Sequence, residues 1–305
     1  MITLALIGRG RWGKNYIKTI RALSSCKLPN QFIKTTNYRD LLSEIGIDGV
    51  IIATPASTHF QIAKEFLEKG FNVLIEKPMT TSYNDALKLR RIAEKNKNVV
   101  MVGHIYLYNP AFMEVKNLIK SLGKIKYITS EGMNYGPIRS DVSALWDWAP
   151  HDISMSIELL RTLPDEVCGY GFSLLRPNTK FYDACYLKLN FPNNVFVFIN
   201  VSWLSPVKKR NMVIVGRKGT LIFDDTSERK ISLAKSFSTN KKIYYPSFPN
   251  SNKSPLSMEI LSFVNLVKNK DKVNNDGLKM GVNVIKVLEA CEESIKSNGK
   301  NVRID

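Results

Sequence analysis

Through the first third of the chain, short apolar runs alternate with stretches whose apolar residues recur at helical spacing. Residues 2–7, ITLALI, read as a buried strand, and behind the glycine-rich stretch that follows, Tyr16, Ile17, Ile20 and Leu23 fall on one face of a helix. Residues 49–53, 71–75 and 99–103 read as further buried strands, with helices over 38–45, 57–69 and 82–96 between them. This alternation predicts a parallel, doubly wound sheet. Its strands all run one way, so their carboxyl ends share the edge at which ligands bind in open α/β sheets. The segment 26–36 is short and contains Pro29, which leaves little room for a regular second strand.

The pattern then changes. A helix is predicted over 110–121 and a strand over 124–133, followed by a helix over 146–160 whose first turn should be irregular at Pro150. Residues 166–175, 181–191, 195–203, 210–215 and 220–224 read as successive strands without helical crossovers, which predicts antiparallel hairpins. A polar stretch over 227–252 has room for a short strand or two; helices follow over 255–268 and 277–297, and the tail at 301–304 can return as a strand. A sheet of this size has an apolar face to cover, by helices on one side and by another subunit on the other, so a homodimer or homotetramer is expected.

Composition narrows the classes. At 305 residues the chain suits two domains, and 44% hydrophobic with 23% charged residues is ordinary for a globular protein. Lys+Arg 44 against Asp+Glu 27 gives a net charge of +17, which suits a nucleic-acid surface, an anionic small substrate, or a lysine-rich background with no local meaning. No basic block, zinc-finger spacing or aromatic RNA-binding signature accompanies it, so nucleic acid is not the expected partner. Cys26, Cys168, Cys185 and Cys291 form no CxxC pair, which argues against a disulfide framework or a metal site. No apolar stretch approaches the ~20 residues of a membrane helix, and the start of the chain reads as a strand rather than a leader. A cytoplasmic protein without membrane contact is the expectation.

The candidate chemistry sits at the predicted strand ends. Gly8-Arg9-Gly10-Arg11-Trp12-Gly13 is GxGxxG between a strand and a helix, the context in which it cradles a dinucleotide. Gly8 permits the turn, Gly10 the approach of a pyrophosphate, and Gly13 close packing of helix on strand. The carboxylate expected about 20 residues further on, which would hold the adenosine ribose, is missing; the cofactor can be NAD or NADP. Thr54-Pro55, Glu76-Lys77-Pro78 and Gly103-His104 end later strands. Lys77 there points into a crevice or belongs to a solvated turn. His59, near a helix start, caps or lines the crevice, and His104 serves either a structural hydrogen bond or the substrate. Asp147 and His151, four apart, share a helix face as either a catalytic pair or an exposed polar couple.

With GRGRWG, IIATPASTH, EKPM, VGH and DWAPHD in order along the chain, the sequence resembles the glucose-fructose oxidoreductase / inositol dehydrogenase / MocA family (Gfo/Idh/MocA) over essentially its whole length. The GxGxWGxN form and LWDWAPHDIS look most like the nucleotide-sugar dehydrogenases that oxidise the 3-hydroxyl of UDP-N-acetylglucosamine derivatives. The resemblance implies an N-terminal Rossmann domain, residues 1–121, and a substrate-binding and oligomerisation α+β domain, residues 122–305, with a large, mostly antiparallel open sheet. It implies Lys77 and His151 as acid/base groups with Asp147 orienting the histidine, and Pro78 in the cis form. Gly8, Gly10, Arg11, Trp12, Gly13, Thr54, Pro55, His59, Glu76, Lys77 and Pro78 would line the cofactor, and His104, Asn109, Arg139, Asp147 and His151 the substrate. The expected activity is NAD(P)-dependent oxidation of a secondary hydroxyl of a sugar, nucleotide-linked by preference. A free-sugar or polyol dehydrogenase, or a dinucleotide- or sugar-sensing protein on the same scaffold, are the alternatives.

Overall fold

A computed structural model of the chain describes residues 1–177, 179, 181–235, 237, 242–250, 252–269 and 275–304. Among the described residues its α-helices are α1 (Arg11–Arg21), α2 (Ala56–Glu68), α3 (Tyr83–Asn96), α4 (Pro110–Leu118), α5 (Ala144–Leu160), α6 (Pro255–Lys268) and α7 (Asp276–Lys296), and the predicted helix over 38–45 is a 3-10 helix, Tyr38–Ser43. The chain divides into two compact units, one of Met1–Ile105 with Ser254–Ile285, the other of Tyr106–Lys253 with Lys286–Asp305. Among the described residues, no helix is long and apolar enough to cross a membrane.

The first unit holds strands β1 (Ile2–Ile7), β2 (Cys26–Lys27), β3 (Ile33–Lys34), β4 (Gly49–Ile52), β5 (Asn72–Glu76) and β6 (Val100–Gly103). Among the described residues they form one parallel sheet in the order β2-β1-β4-β5-β6, with β3 also paired to β1. β4 and β6 are buried at every position, as strands covered on both faces must be. α6 packs against α1 and β1, so a helix far along the chain completes this layer. The second strand is reduced to two stubs of two residues, β2 and β3, in keeping with the shortness of that stretch. After β1 the chain goes to one side of it for β2 and β3 and to the other for β4. The strand order therefore reverses between β1 and β4.

The second unit is built on β7 (Ile125–Tyr135), β8 (Glu166–Phe172), β9 (Ala184–Phe191), β10 (Val195–Ser202), β11 (Leu204–Gly216), β12 (Gly219–Asp224), β13 (Ile231–Ala234), β14 (Ile243–Tyr244) and β15 (Val302–Arg303). Among the described residues the order is β14-β13-β12-β11-β7-β10-β9-β8-β15, so the tail does return as an edge strand, beside β8. The hairpins are antiparallel with one departure: β10 runs parallel to β7, because β8 and β9 come between them in sequence. β11 starts at Leu204 rather than 210, its polar first half tied to β7 across a register shift. α5 covers the face made by Ile128, Val197, Ile199 and Leu187. That helix begins at Ala144, two residues before the predicted start, which leaves Pro150 inside it rather than in the first turn.

Candidate active site

In the first unit the predicted residues gather at the carboxyl edge of the sheet. Gly8 has φ of +103°, and a Cβ there would lie 2.4 Å from the Ala53 carbonyl oxygen, so β1 turns against the end of β4 only as glycine. A Cβ on Gly13 would lie 2.0 Å from the Gly8 carbonyl oxygen, whereas one on Gly10 meets nothing within 4 Å. Gly10 is the N-cap of α1 and is exposed, no side chain caps this helix start, and its first turn carries no acid. Backbone N–H groups and the positive end of the helix dipole are thus presented over open space beside the strand-order reversal, which fits the pyrophosphate of a dinucleotide. Arg11 is exposed and Trp12 half-buried at the same helix start.

The other strand ends are fastened together behind this cradle. The buried His59 ring bridges two carbonyl oxygens, Nδ1 lying 2.8 Å from that of Pro78 and Nε2 2.9 Å from that of Thr54. His59 thereby ties the turn after β4, Thr54-Pro55, to the turn after β5. The Lys77-Pro78 peptide is cis. Glu76 is buried; its Oε2 accepts the Lys77 backbone N–H at 3.1 Å, and its Oε1 accepts the Tyr16 hydroxyl at 2.9 Å. Lys77 is 8% exposed at the carboxyl end of β5. His104, after β6, is 2% exposed, and among the described residues neither ring nitrogen has a hydrogen-bond partner. Burial first, and the nearby Lys77 charge second, push its pKa down to about 3, so the ring is neutral at neutral pH.

In the second unit, α5 places Asp147 and His151 on one face, both buried. Asp147 Oδ2 accepts the Trp203 indole N–H at 3.2 Å, and Oδ1 faces Arg139 Nη1 at 3.5 Å. Arg139 is held in a two-pronged pair with Asp141 at 2.9 and 2.8 Å, so its charge is matched within the unit. The His151 ring stands edge-on to Tyr106, centroids 4.9 Å apart. Asn109 caps α4, its Oδ1 accepting the Ala111 N–H while its Nδ2 donates to Asp225, and it is buried. Both ends of that amide are engaged in structure.

Several residues that matter here carry no motif. Asp152 and Arg210 are buried behind His151: Ser130 Oγ donates to Asp152 at 2.5 Å, and the Arg210 guanidinium lies 3.5 Å above the Trp148 ring. Burial pushes the Asp152 carboxyl up to about 6, against the Ser130 hydrogen bond and the Arg210 charge. Asp152 adjoins the DWAPHD motif. Arg210 had a fainter signal, a cation in phase with the apolar Met212 and Ile214 on one face of β11.

The sequence model described as "oxidoreductase family, NAD-binding Rossmann fold" matches residues 25–104, beginning after α1, and the "GFO/IDH/MocA C-terminal domain" matches 112–222. A crystal structure of a candidate oxidoreductase from Magnetospirillum magnetotacticum superposes with a TM-score of 0.84 at 30% identity, covering 95% of this chain and 99% of the other. UDP-N-acetylglucosamine 3-dehydrogenase of Acidithiobacillus ferrooxidans is 31% identical over 132 residues, 43% of this chain and 41% of that one. The NAD(+)-dependent scyllo-inositol 2-dehydrogenase of Bacillus subtilis is 23% identical over 241 residues, 75% of this chain and 70% of that one. With both of its units matched, this chain belongs to the Gfo/Idh/MocA oxidoreductases, an NAD-binding sugar or polyol oxidoreductase family.

Proposed function

We propose that the protein is an NAD(P)-dependent dehydrogenase that oxidises a secondary hydroxyl of a sugar, with a nucleotide-linked sugar as the preferred substrate. The observation that carries this reading is the amine of Lys77, placed by β5 at the sheet edge that also bears the glycine cradle. The glycine turn and the N–H groups of α1 would hold the pyrophosphate. A nicotinamide dinucleotide, when bound, supplies a two-electron hydride acceptor. Loss of hydride from a carbinol carbon requires loss of the hydroxyl proton, and Lys77 Nζ, as the free amine and not the ammonium, is the group in this unit that takes it. His104, buried and neutral next to that amine, does not compete with it for the proton. In the second unit His151 is the further acid/base group. Asp147, held by Trp203 and Arg139, supplies the negative charge on the same helix face.

The nucleotide-linked substrate is supported by the partial match to the UDP-N-acetylglucosamine enzyme and by the net charge of +17, which favours an anionic diphosphate. We further propose that the chain works as a homo-oligomer through the open face of the second sheet. The test of the activity is the rise of the reduced-nicotinamide absorbance band when the purified protein meets NAD or NADP and a panel of UDP-sugars, free sugars and inositols. Turnover confined to UDP-sugars is the expected result; turnover of inositols alone replaces the substrate class, and none on any member overturns the dehydrogenase reading.

A further inference from the structure

Beneath the EKP turn lies a buried group that the proposed chemistry does not use. Tyr16 of α1 is fully buried, and its hydroxyl oxygen lies 2.9 Å from Glu76 Oε1 on β5 and 3.0 Å from Glu259 Oε1 on α6. Both distances are those of hydrogen bonds, yet a phenol has one proton to give. If both carboxyls were ionised, one Tyr16 contact would set two acceptors against each other. Glu259 is 1% exposed, and among the described residues no donor reaches its Oε2. An ionised carboxylate left so poorly hydrogen-bonded inside a protein is costly, whereas a neutral carboxylic acid is tolerated. Glu76, by contrast, accepts both the Tyr16 hydroxyl and the Lys77 backbone N–H.

We propose that Glu259 is a neutral carboxylic acid that donates its proton to the Tyr16 hydroxyl, which in turn donates to Glu76, making Glu259 a positioning residue for Lys77. The chain of hydrogen bonds then runs one way, Glu259 to Tyr16 to the Glu76 carboxylate, and Glu76 holds the Lys77 backbone. Burial, followed by the charge of Glu76, pushes the Glu259 carboxyl well above the ordinary carboxylate range, in agreement with that direction. The same surroundings push the Tyr16 phenol up, so it remains a donor. Three elements from distant parts of the chain are joined at the base of the turn, and α6 acquires a role beyond packing. The positioning role rests on Lys77 being the proton-transfer group; the protonation of Glu259 does not.

The test uses the full chain, Glu259→Gln, Glu259→Ala and Tyr16→Phe. A glutamine amide can donate to Tyr16 as the neutral acid does, and alanine cannot. The infrared spectrum at neutral pH should show a carboxylic-acid carbonyl band that disappears in Glu259→Gln; its absence from the parent protein overturns the proposal whatever the enzyme turns over. Acylation of Lys77 by an amine-directed reagent, followed by peptide mass spectrometry, should change in Tyr16→Phe and Glu259→Ala and stay close to the parent in Glu259→Gln. Under the dehydrogenase reading, kcat of Glu259→Ala should lie at least ~10-fold below that of Glu259→Gln, toward the ~100-fold that a misplacement of about 1 Å costs. Equal loss in the two Glu259 variants makes the residue merely structural and overturns the positioning role. An inactive parent protein defeats the function above and leaves the infrared and labelling results to decide this one.

Discussion

Lys77 is the proton acceptor of the proposed reaction, and its surroundings make its removal informative. It is nearly enclosed, and its backbone is held by Glu76, so truncation removes the amine without loosening the glycine cradle at the end of β1. Lys77→Ala is expected to lower kcat by about 10² to 10⁴, the usual contribution of a general acid or base, while the dissociation constant for NADH, followed by fluorescence, stays put. His104 gives a prediction about stability. Its folded pKa of about 3 lies below the ordinary value of 6.5, so between those values the unfolded chain binds more protons than the folded one. Stability due to His104 is therefore complete above pH 6.5 and is lost as pH falls toward 3, with a slope of up to about 1.4 kcal/mol per pH unit. Urea denaturation across that window should show a flatter pH dependence for His104→Gln than for the parent; identical slopes would mean that the ring is not buried as a neutral base. At this scale the sequence was legible where a residue ends a strand, as Lys77 and His104 do. It was silent on Glu259, whose partner Tyr16 lies 243 positions away, and nearly so on Arg210, whose burial depends on which face of β11 meets the helix.

Elements were readable in the sequence to the extent that their pattern is local. The strands of the first sheet are short apolar runs because both faces are covered, and GxGxxG marks the turn because its backbone geometry admits little else. What escaped was non-local. The parallel pairing of β10 with β7 is set by which strands meet after β8 and β9 have folded back, and the early start of β11 depends on its partner rather than on its polar residues. Helix α5 begins two residues earlier, at the buried Ala144 and Leu145, and the proline within it forgoes only the bond to the Trp146 carbonyl. The glycine turn permits a separation of fold from function. Gly10 has φ of −64° and open space where a Cβ would go, so Gly10→Ala should leave thermal stability within about 0.5 kcal/mol of the parent. The added methyl would stand where the pyrophosphate must approach. The dissociation constant for NADH should therefore rise at least ~10-fold by isothermal titration. Unaltered affinity would place the dinucleotide elsewhere.

For the whole molecule, the unexplained feature is the second face of the large sheet. Strand alternation sends Ile128, Val197 and Leu187 toward α5 and Tyr127, Phe198 and Tyr186 the other way, where the three are 42%, 44% and 53% exposed. Tyr170 stands directly across from Tyr186 in the register of β8 and β9, and Phe196 stacks on Phe198 at 6.4 Å, so the aromatic surface is continuous across neighbouring strands. Contiguous apolar surface on this scale marks an interaction site, and a sheet face offered identically by every copy of a chain favours a two-fold contact with itself. Light scattering on the eluting protein should then give a multiple of 34.6 kDa. Phe198→Glu is the decisive substitution, because Phe198 pairs with Lys188 across β10 and β9. In a separated subunit the new carboxylate would have a cation beside it and water in front of it, so folding is spared; in an assembled one it would be buried against the partner's aromatic face. The expected outcome is a shift to 34.6 kDa with unchanged circular dichroism, and a parent protein that is already 34.6 kDa at every concentration would leave this face without the role assigned to it.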